Sequence, residues 1–357
     1  MLERLDPAPY TPCADLWCIT AYFNPAHYRT RPANYARFAA PLRAAGIPLL
    51  TVECAFGDDP FELPSGPDVA QVRARDILWQ KERLINLGLS RLPSQAQKIA
   101  WLDGDILFTN PNWAVETAAL LDTALVVQPF ERVIRLPRGA ESAAGDSASY
   151  ESFAAVWGRD RSLVRAGGLE LHGHTGFAWA ARRDLLAQHG LYEAFVTSNG
   201  DHFLAHAFAG DFTSSCMQGI RQGSRLIHAS RQAQRSRLGA LLHDMVPRRL
   251  RGALHNLPGI RQPSATFWAH FLAWGEPVAR QVDGRIGCTP GALLHLWHGN
   301  LYHRQAGEGR QLLHALGFDP ARDLRIASSG CLEWATDQPQ LRSWLTDFFR
   351  QRREDGE

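Results

Sequence analysis

The segment Trp101-Leu102-Asp103-Gly104-Asp105-Ile106-Leu107-Phe108 sets two carboxylates, one glycine apart, between apolar runs. An ionised carboxylate removed from water without a partner is heavily penalised, so these flanks call for a cation shared by both acids. Gly104 lets the backbone turn so that both side chains approach one ion, and hard oxygen ligands favour magnesium or manganese. Asp-Gly is also common turn chemistry, in which the acids would be solvated. The apolar residues on both sides favour the metal.

Such a pair needs an element to carry it, and the run Ile99 to Leu102 leads directly into Asp103. Further upstream come an apolar run from Leu16 to Phe23, a polar turn at Asn24-Pro25, a helical stretch from Arg31 to Ala45 and an apolar run from Ile47 to Cys54. That order predicts a βαβ opening. Apolar residues at Ile77, Leu78, Leu84, Ile85 and Leu87 predict a helix over Val69 to Leu89. Strands are expected around Ala124 to Gln128 and Phe177 to Ala181, followed by a helix from Asp184 and a charged terminal helix from about Gln338 to Arg353. The Gly-, Ala- and Ser-rich stretch Gly139 to Ser149 reads as a mobile lid. Alternating strands and helices predict an α/β fold with a mixed, mainly parallel sheet flanked by helices, binding ligands at the carboxyl ends of its strands. Asp103 stands at such an end.

An apolar strand running into Asp-x-Asp resembles the hallmark of the nucleotide-sugar-dependent glycosyltransferases of the GT-A (Rossmann-like) fold. The likeness extends over Leu78 to Asn110, a helix holding Lys81, Glu82 and Arg83 and then Lys98 to Phe108. This arrangement is similar to that of lipooligosaccharide galactosyltransferases and glycogenin-type enzymes. His174-Thr175-Gly176-Phe177-Ala178-Trp179 is similar to their donor-sugar and acceptor segment, and Trp297-His298-Gly299 sits where they often place a third metal ligand. With the opening strand, the resemblance spans roughly two thirds of the chain.

The resemblance implies roles for single residues. Asp105 would bind the metal most directly, Asp103 would share it or contact the donor ribose, and His298 would complete the protein ligands. His295 and His303 stand nearby, but His298 is followed by glycine and surrounded by aromatic residues. The metal would act as a Lewis acid on a departing nucleoside diphosphate, expected to be UDP. Thr20, Tyr22 and Asn24 would hold the base and ribose, and Lys81 and Gly176 would also lie on the donor. Arg73 or Arg75 would reach the diphosphate, unless their helix merely presents them to solvent. Asp201, in Ser198-Asn199-Gly200-Asp201-His202, would deprotonate the acceptor hydroxyl in an inverting enzyme or position the acceptor in a retaining one. The same residue could instead cap a helix beginning at about His202. Trp297 is expected beside substrate, and Trp17, Trp101, Trp179 and Trp344 in the core.

With 357 residues, 45% of them hydrophobic, the chain can bury a large core, and its net charge of +2 gives no general attraction to nucleic acid or lipid. Its six cysteines lack the close pairs of structural zinc motifs and read as small buried hydrophobes in a reducing compartment. The first residues lack a basic start and apolar run, and no stretch approaches ~20 apolar residues, so a cytoplasmic protein that does not span a membrane is expected. Arg221 to Arg261 breaks the charge balance, with nine arginines against one acid, Asp244. It lies outside the resemblance and reads as a basic helical insertion. Its surface would suit peripheral contact with anionic membrane or a lipid-linked acceptor, although a solvated helical pair over the sheet edge fits the same residues.

The expected organisation is a nucleotide-sugar-binding core over 1–220, the insertion over 221–290 and a C-terminal segment over 291–357 that completes the site. The expected partners are a nucleotide-sugar donor and a hydroxyl of a glycan or glycolipid. Nucleic acid would be a partner only in a minority reading, a transferase acting on modified DNA. A metal-dependent nucleotidyltransferase or phosphohydrolase would use the same aspartates without the Thr175-Gly176-Phe177 segment. A non-catalytic sugar-binding module would need no diphosphate-binding metal.

Overall fold

The computed structural model describes residues 5–144, 147, 149–168, 170–217, 265–300, 303, 313 and 316–356. The arginine-rich stretch 221–261 lies outside the described residues.

The chain opens with β1 (Leu16–Tyr22), α1 (Thr30–Ala44) and β2 (Leu49–Phe56), the βαβ unit its pattern predicts. The next segment departs from expectation. Val69–Ala74 is a strand, β3, and helix α2 spans only Lys81–Arg91. The apolar helical spacing begins at Ile77; before it, Val72 and Ala74 alternate inward while β3 pairs in parallel with Thr51 to Phe56 of β2. The free edge of β2 and a valine-bearing alternating run outweigh the helical reading there.

Next come β4 (Lys98–Leu102), β5 (Ile106–Phe108), α3 (Trp113–Leu120), β6 (Val126–Gln128), β7 (Arg132–Arg135) and β8 (Ser149–Glu151). They are followed by α4 (Phe153–Arg159), α5 (Arg161–Ala166), β9 (Ala178–Arg182), α6 (Arg183–His189), α7 (Gly200–Phe208) and α8 (Ala265–Val282). The C-terminal part holds β10 (Ile286–Cys288), β11 (Ala292–His295), α9 (Pro320–Asp323), β12 (Leu324–Ile326), β13 (Leu332–Trp334) and α10 (Pro339–Gln351). The stretch expected as a lid is only partly described, and Ala143 within it bridges to Leu5.

The main sheet has seven strands in the order β10-β6-β9-β4-β1-β2-β3. All its pairings are parallel except those of β9, which runs antiparallel to β4 and β6. The protein is therefore a mixed α/β fold with a mainly parallel sheet flanked by helices. Side-chain alternation splits the core between the two faces. Ile19, Val52, Trp101 and Trp179 pack on one side, and Cys18, Phe38, Leu102 and Trp113 on the other. Residues 265–290, grouped with the basic stretch in the sequence reading, join this core. Phe271 of α8 packs against Tyr192 and Phe203, and β10 forms an edge of the main sheet beside β6. Among the described residues, no helix is long and apolar enough to cross a membrane.

A smaller sheet, β5-β11-β7-β8, abuts the end of β4. The chain crosses from one sheet to the other at Asp103-Gly104-Asp105.

Candidate active site

The crossing gives the two aspartates different surroundings. Asp103 belongs to the main sheet: β4 and β9 pair Trp101 with Trp179 and Leu102 with Ala178, and the Asp103 N–H then donates to Phe177 O at 2.8 Å. Asp105 belongs to the smaller sheet: β11 pairs His295 with Ile106, and the Leu296 N–H donates to Asp105 O at 2.8 Å. The first register brings Gly176 and Phe177 to Asp103, and the second brings His295 and His298 to Asp105.

Around Asp103 the charges form a chain. Lys81, at the start of α2, has its Nζ 2.6 Å from Asp103 Oδ1 and 3.0 Å from both carboxylate oxygens of Asp201. Burial opposes the lysine's charge, yet Asp103 and Asp201 raise its pKa well above the usual value and keep it protonated. Asp201 lies in the first turn of α7, whose N-cap is Asn199, so Asp201 is not the cap residue. Its carboxyl is raised by burial and by Asp103, against the pull of Lys81.

Two glycines make this packing feasible. A Cβ on Gly200 would stand 2.2 Å from Glu82 Oε1, and one on Gly176 would stand 3.3 Å from Asp201 Oδ2. Phe177, Ser198 and Asn199 take φ values of 81°, 76° and 74°, a left-handed region that non-glycine residues adopt at a cost. These strained positions lie where the chain enters β9 and α7. Glu82, which the sequence reading gave no role, is buried beneath Asp201. Burial raises its carboxyl, as do Asp201 and Asp103, while Lys81 opposes them.

Around Asp105 two imidazoles converge. His298 Nε2 lies 3.1 Å from Asp105 Oδ2, His295 Nε2 lies 3.8 Å from Oδ1, and the two Nε2 atoms are 3.0 Å apart. The far nitrogen of His298 is 3.4 Å from Glu354 Oε1, and Glu354 is gripped by Arg31 and Arg352 at 2.6 Å each. The C-terminal segment thus supplies both histidines and the carboxylate behind one of them. Asp105 Oδ1 is buried and has no hydrogen-bond partner among the described residues. One carboxylate and two imidazoles, with an oxygen that accepts no hydrogen bond among the described residues, fit a divalent cation. Asp103 stands outside this triad, on Lys81. His295 was passed over in favour of His298, although their spacing at the end of a strand was the available signal.

The remaining residues divide. Thr20 lies on β1 beside β4; its hydroxyl is buried without a hydrogen-bond partner among the described residues, 3.7 Å from where a Gly104 Cβ would stand. At the end of the same strand, the Tyr22 hydroxyl donates to Glu62, and Asn24 Nδ2 donates to Glu62 Oε1 at 2.9 Å. Arg75 pairs instead with Asp76 at 2.8 Å, and Arg73 donates to Gly57 O and Asp59 O. Arg73 ends on edge strand β3, with Arg75 just beyond it, and β3 lies three places, roughly 14 Å, from β4. Neither is brought to the aspartates. Arg135, at the end of β7, was missed altogether: its Nη2 lies 2.8 Å from His174 Nε2 and its guanidinium 5.8 Å over the Phe177 ring. Its Nε and Nη1 are buried without a hydrogen-bond partner among the described residues, and burial lowers its pKa despite nearby Asp105. Trp297 packs its ring under Arg138 and accepts from Asn34 at its backbone oxygen.

No family model matches the chain, and no curated protein matches it. Among solved structures, it is similar to a mutant Drosophila β1,4-galactosyltransferase 7 in complex with manganese, UDP-Gal and xylobiose, at 14% identity and a TM-score of 0.30. It is also similar to the catalytic domain of Drosophila β1,4-galactosyltransferase 7 with xylobiose, at 14% identity and a TM-score of 0.28. Each match covers 57% of this chain and 64% of the other, so the chain spans under two thirds of their length.

Proposed function

We propose that this protein is a metal-dependent glycosyltransferase that moves a hexosyl group from a UDP-sugar to a hydroxyl of a glycan or glycolipid. The observation that carries the reading is the juxtaposition, across Gly104, of a three-ligand cation site at Asp105 with the Lys81-bridged carboxylates Asp103 and Asp201. A cation, manganese or magnesium, would be held by Asp105, His295 and His298 and would neutralise charge growing on the departing diphosphate. Arg135 has two guanidinium nitrogens without a hydrogen-bond partner among the described residues, and they would suit phosphate or sugar oxygens. Thr20, Tyr22 and Asn24 line the end of β1, where base and ribose would lie. Lys81 holds Asp103 and Asp201 together, and Gly176, whose Cα has no side chain to stand against Asp201, would lie along the donor sugar.

Asp201 receives the acceptor proton, or else orients the acceptor. Its raised pKa brings it closer to working pH, which suits a base. The anomeric configuration of the product separates these roles. A cytoplasmic location, on the scattered cysteines, and contact of Arg221 to Arg261 with anionic lipid, on the charge of that stretch, belong to the same proposal. Co-sedimentation with anionic vesicles is expected and should fade with salt; failure to sediment at low salt would remove the lipid contact.

The test of the reaction is release of UDP from a panel of UDP-sugars with manganese and with chelator. Metal-dependent release from one donor, accelerated by a sugar acceptor, is expected. No release from any donor with manganese would sink the reading.

A further inference from the structure

A second group of metal-ligating side chains lies away from the Asp-Gly-Asp crossing, and the proposed reaction uses none of it. His172 precedes β9, His202 and His206 lie on α7, and Cys216 follows that helix. All four are buried, and one ligand atom from each lies within 4.8 Å of the others. The four-residue spacing of His202 and His206 puts both rings on one face of α7.

The outer nitrogens are already held. His206 Nδ1 lies 2.7 Å from Asp211 Oδ2, and His172 Nδ1 lies 2.9 Å from Gly173 O. Partners of this kind fix the orientation of a ligating imidazole and leave its other nitrogen facing inward. Inside, His206 Nε2 is 3.4 Å from Cys216 Sγ. His172 Nε2 and both ring nitrogens of His202 are buried with no hydrogen-bond partner of good geometry among the described residues, although both rings face the Cys216 thiol. Three imidazoles packed with ring centroids 4.5 to 5.2 Å apart make a costly core unless something satisfies those nitrogens, because apolar side chains would fill the space without the penalty.

We propose that His172, His202, His206 and Cys216 bind a zinc ion as a closed, structural site. Tetrahedral zinc with bonds of about 2.0–2.1 Å to nitrogen and about 2.3 Å to sulfur sets neighbouring ligand atoms about 3.3–3.6 Å apart. The 3.4 Å between Cys216 Sγ and His206 Nε2 falls in that range. A thiolate among imidazoles selects zinc over magnesium or manganese. Four buried protein ligands leave no position for substrate, so this ion holds the fold. It would tie the loop before Gly176 to the first turn of α7, where His202 directly follows Asp201, and so fix two parts of the proposed active site from the core side.

The test uses the full-length protein, loaded with zinc, freed of excess metal and measured by elemental analysis. A single zinc equivalent per chain is expected, kept in Asp105→Asn and lost in Cys216→Ser. Cobalt exchanged into the wild-type protein should show the intense d–d bands of tetrahedral coordination together with a thiolate-to-cobalt charge-transfer band. The cobalt spectrum needs no variant, so it decides even if Cys216→Ser does not fold. Absence of stoichiometric zinc, a cobalt spectrum without the thiolate band, or zinc kept by a folded Cys216→Ser and lost from Asp105→Asn would each overturn the proposal.

Discussion

The two histidine clusters differ in what they leave open. At Asp105, two imidazoles and one carboxylate meet at a strand end where the aspartate keeps some exposure and one of its oxygens accepts no hydrogen bond among the described residues. Around Cys216, four side chains of two types converge wholly inside the protein, with outer nitrogens held by Asp211 and Gly173. Three ligands with an accessible side suit a cation that accepts substrate oxygens and exchanges; four buried ligands suit one that stays. Ligand count and burial, rather than histidine content, separate a metal that would do chemistry from one that would hold structure.

The comparison breaks most readily at its open end. Asp105→Asn should lower metal-dependent turnover by roughly a thousand-fold, the cost of losing charge stabilisation at the leaving group. Steady-state kinetics with manganese reads that loss, and thermal melting should stay near wild type. Asp201→Asn should lower transfer by about a hundred-fold or more while UDP-sugar binding, followed by calorimetry, is retained. Because burial and Asp103 raise the Asp201 carboxyl against Lys81, the acid limb of the kcat/KM profile should lie above the ordinary carboxylate range. That limb should vanish in the Asn variant. An unchanged profile would take Asp201 out of the chemistry.

Smaller effects sharpen the contrast. Glu354→Gln frees the far side of His298 and should weaken manganese affinity by about ten-fold in titrations, leaving zinc content untouched. Equal loss of both metals would mean that the clusters are not independent. Glu82→Gln probes the support beneath Asp201. The folded pKa of Glu82 is raised, chiefly by burial, so its stabilising contribution is present below the unfolded value and lost as pH rises through the folded one. Wild-type melting temperature should therefore fall as pH climbs from the ordinary carboxylate range to that raised value. The Gln variant should flatten that fall, and parallel curves would contradict the assignment.

Much of the scaffold was legible because burial writes itself into apolar runs. Ile99 to Leu102 ending at Asp103, the β1-α1-β2 opening and the terminal helix all carry that signal. β3 was not legible, since its alternation is short and abuts the helical spacing that begins at Ile77. Arg73 and Arg75 were misplaced with it. Within the site, the Asp-Gly-Asp crossing stood out as charge amid apolar residues, and His298 through its aromatic setting. His295 and Arg135 became visible only when β11 was seen between β5 and β7, a pairing of distant segments. The buried cluster had one local trace, the spacing of His202 and His206. Its other members, His172 and Cys216, approach through folding, which is why six scattered cysteines read as mere packing.

The most direct test of the central claim is calorimetric titration of the protein with UDP and a panel of UDP-sugars, each with manganese and with chelator. Binding of a UDP-sugar that requires manganese and disappears in Asp105→Asn is the predicted result. Binding that is indifferent to metal, or no binding of any nucleotide by the zinc-loaded protein, would contradict it.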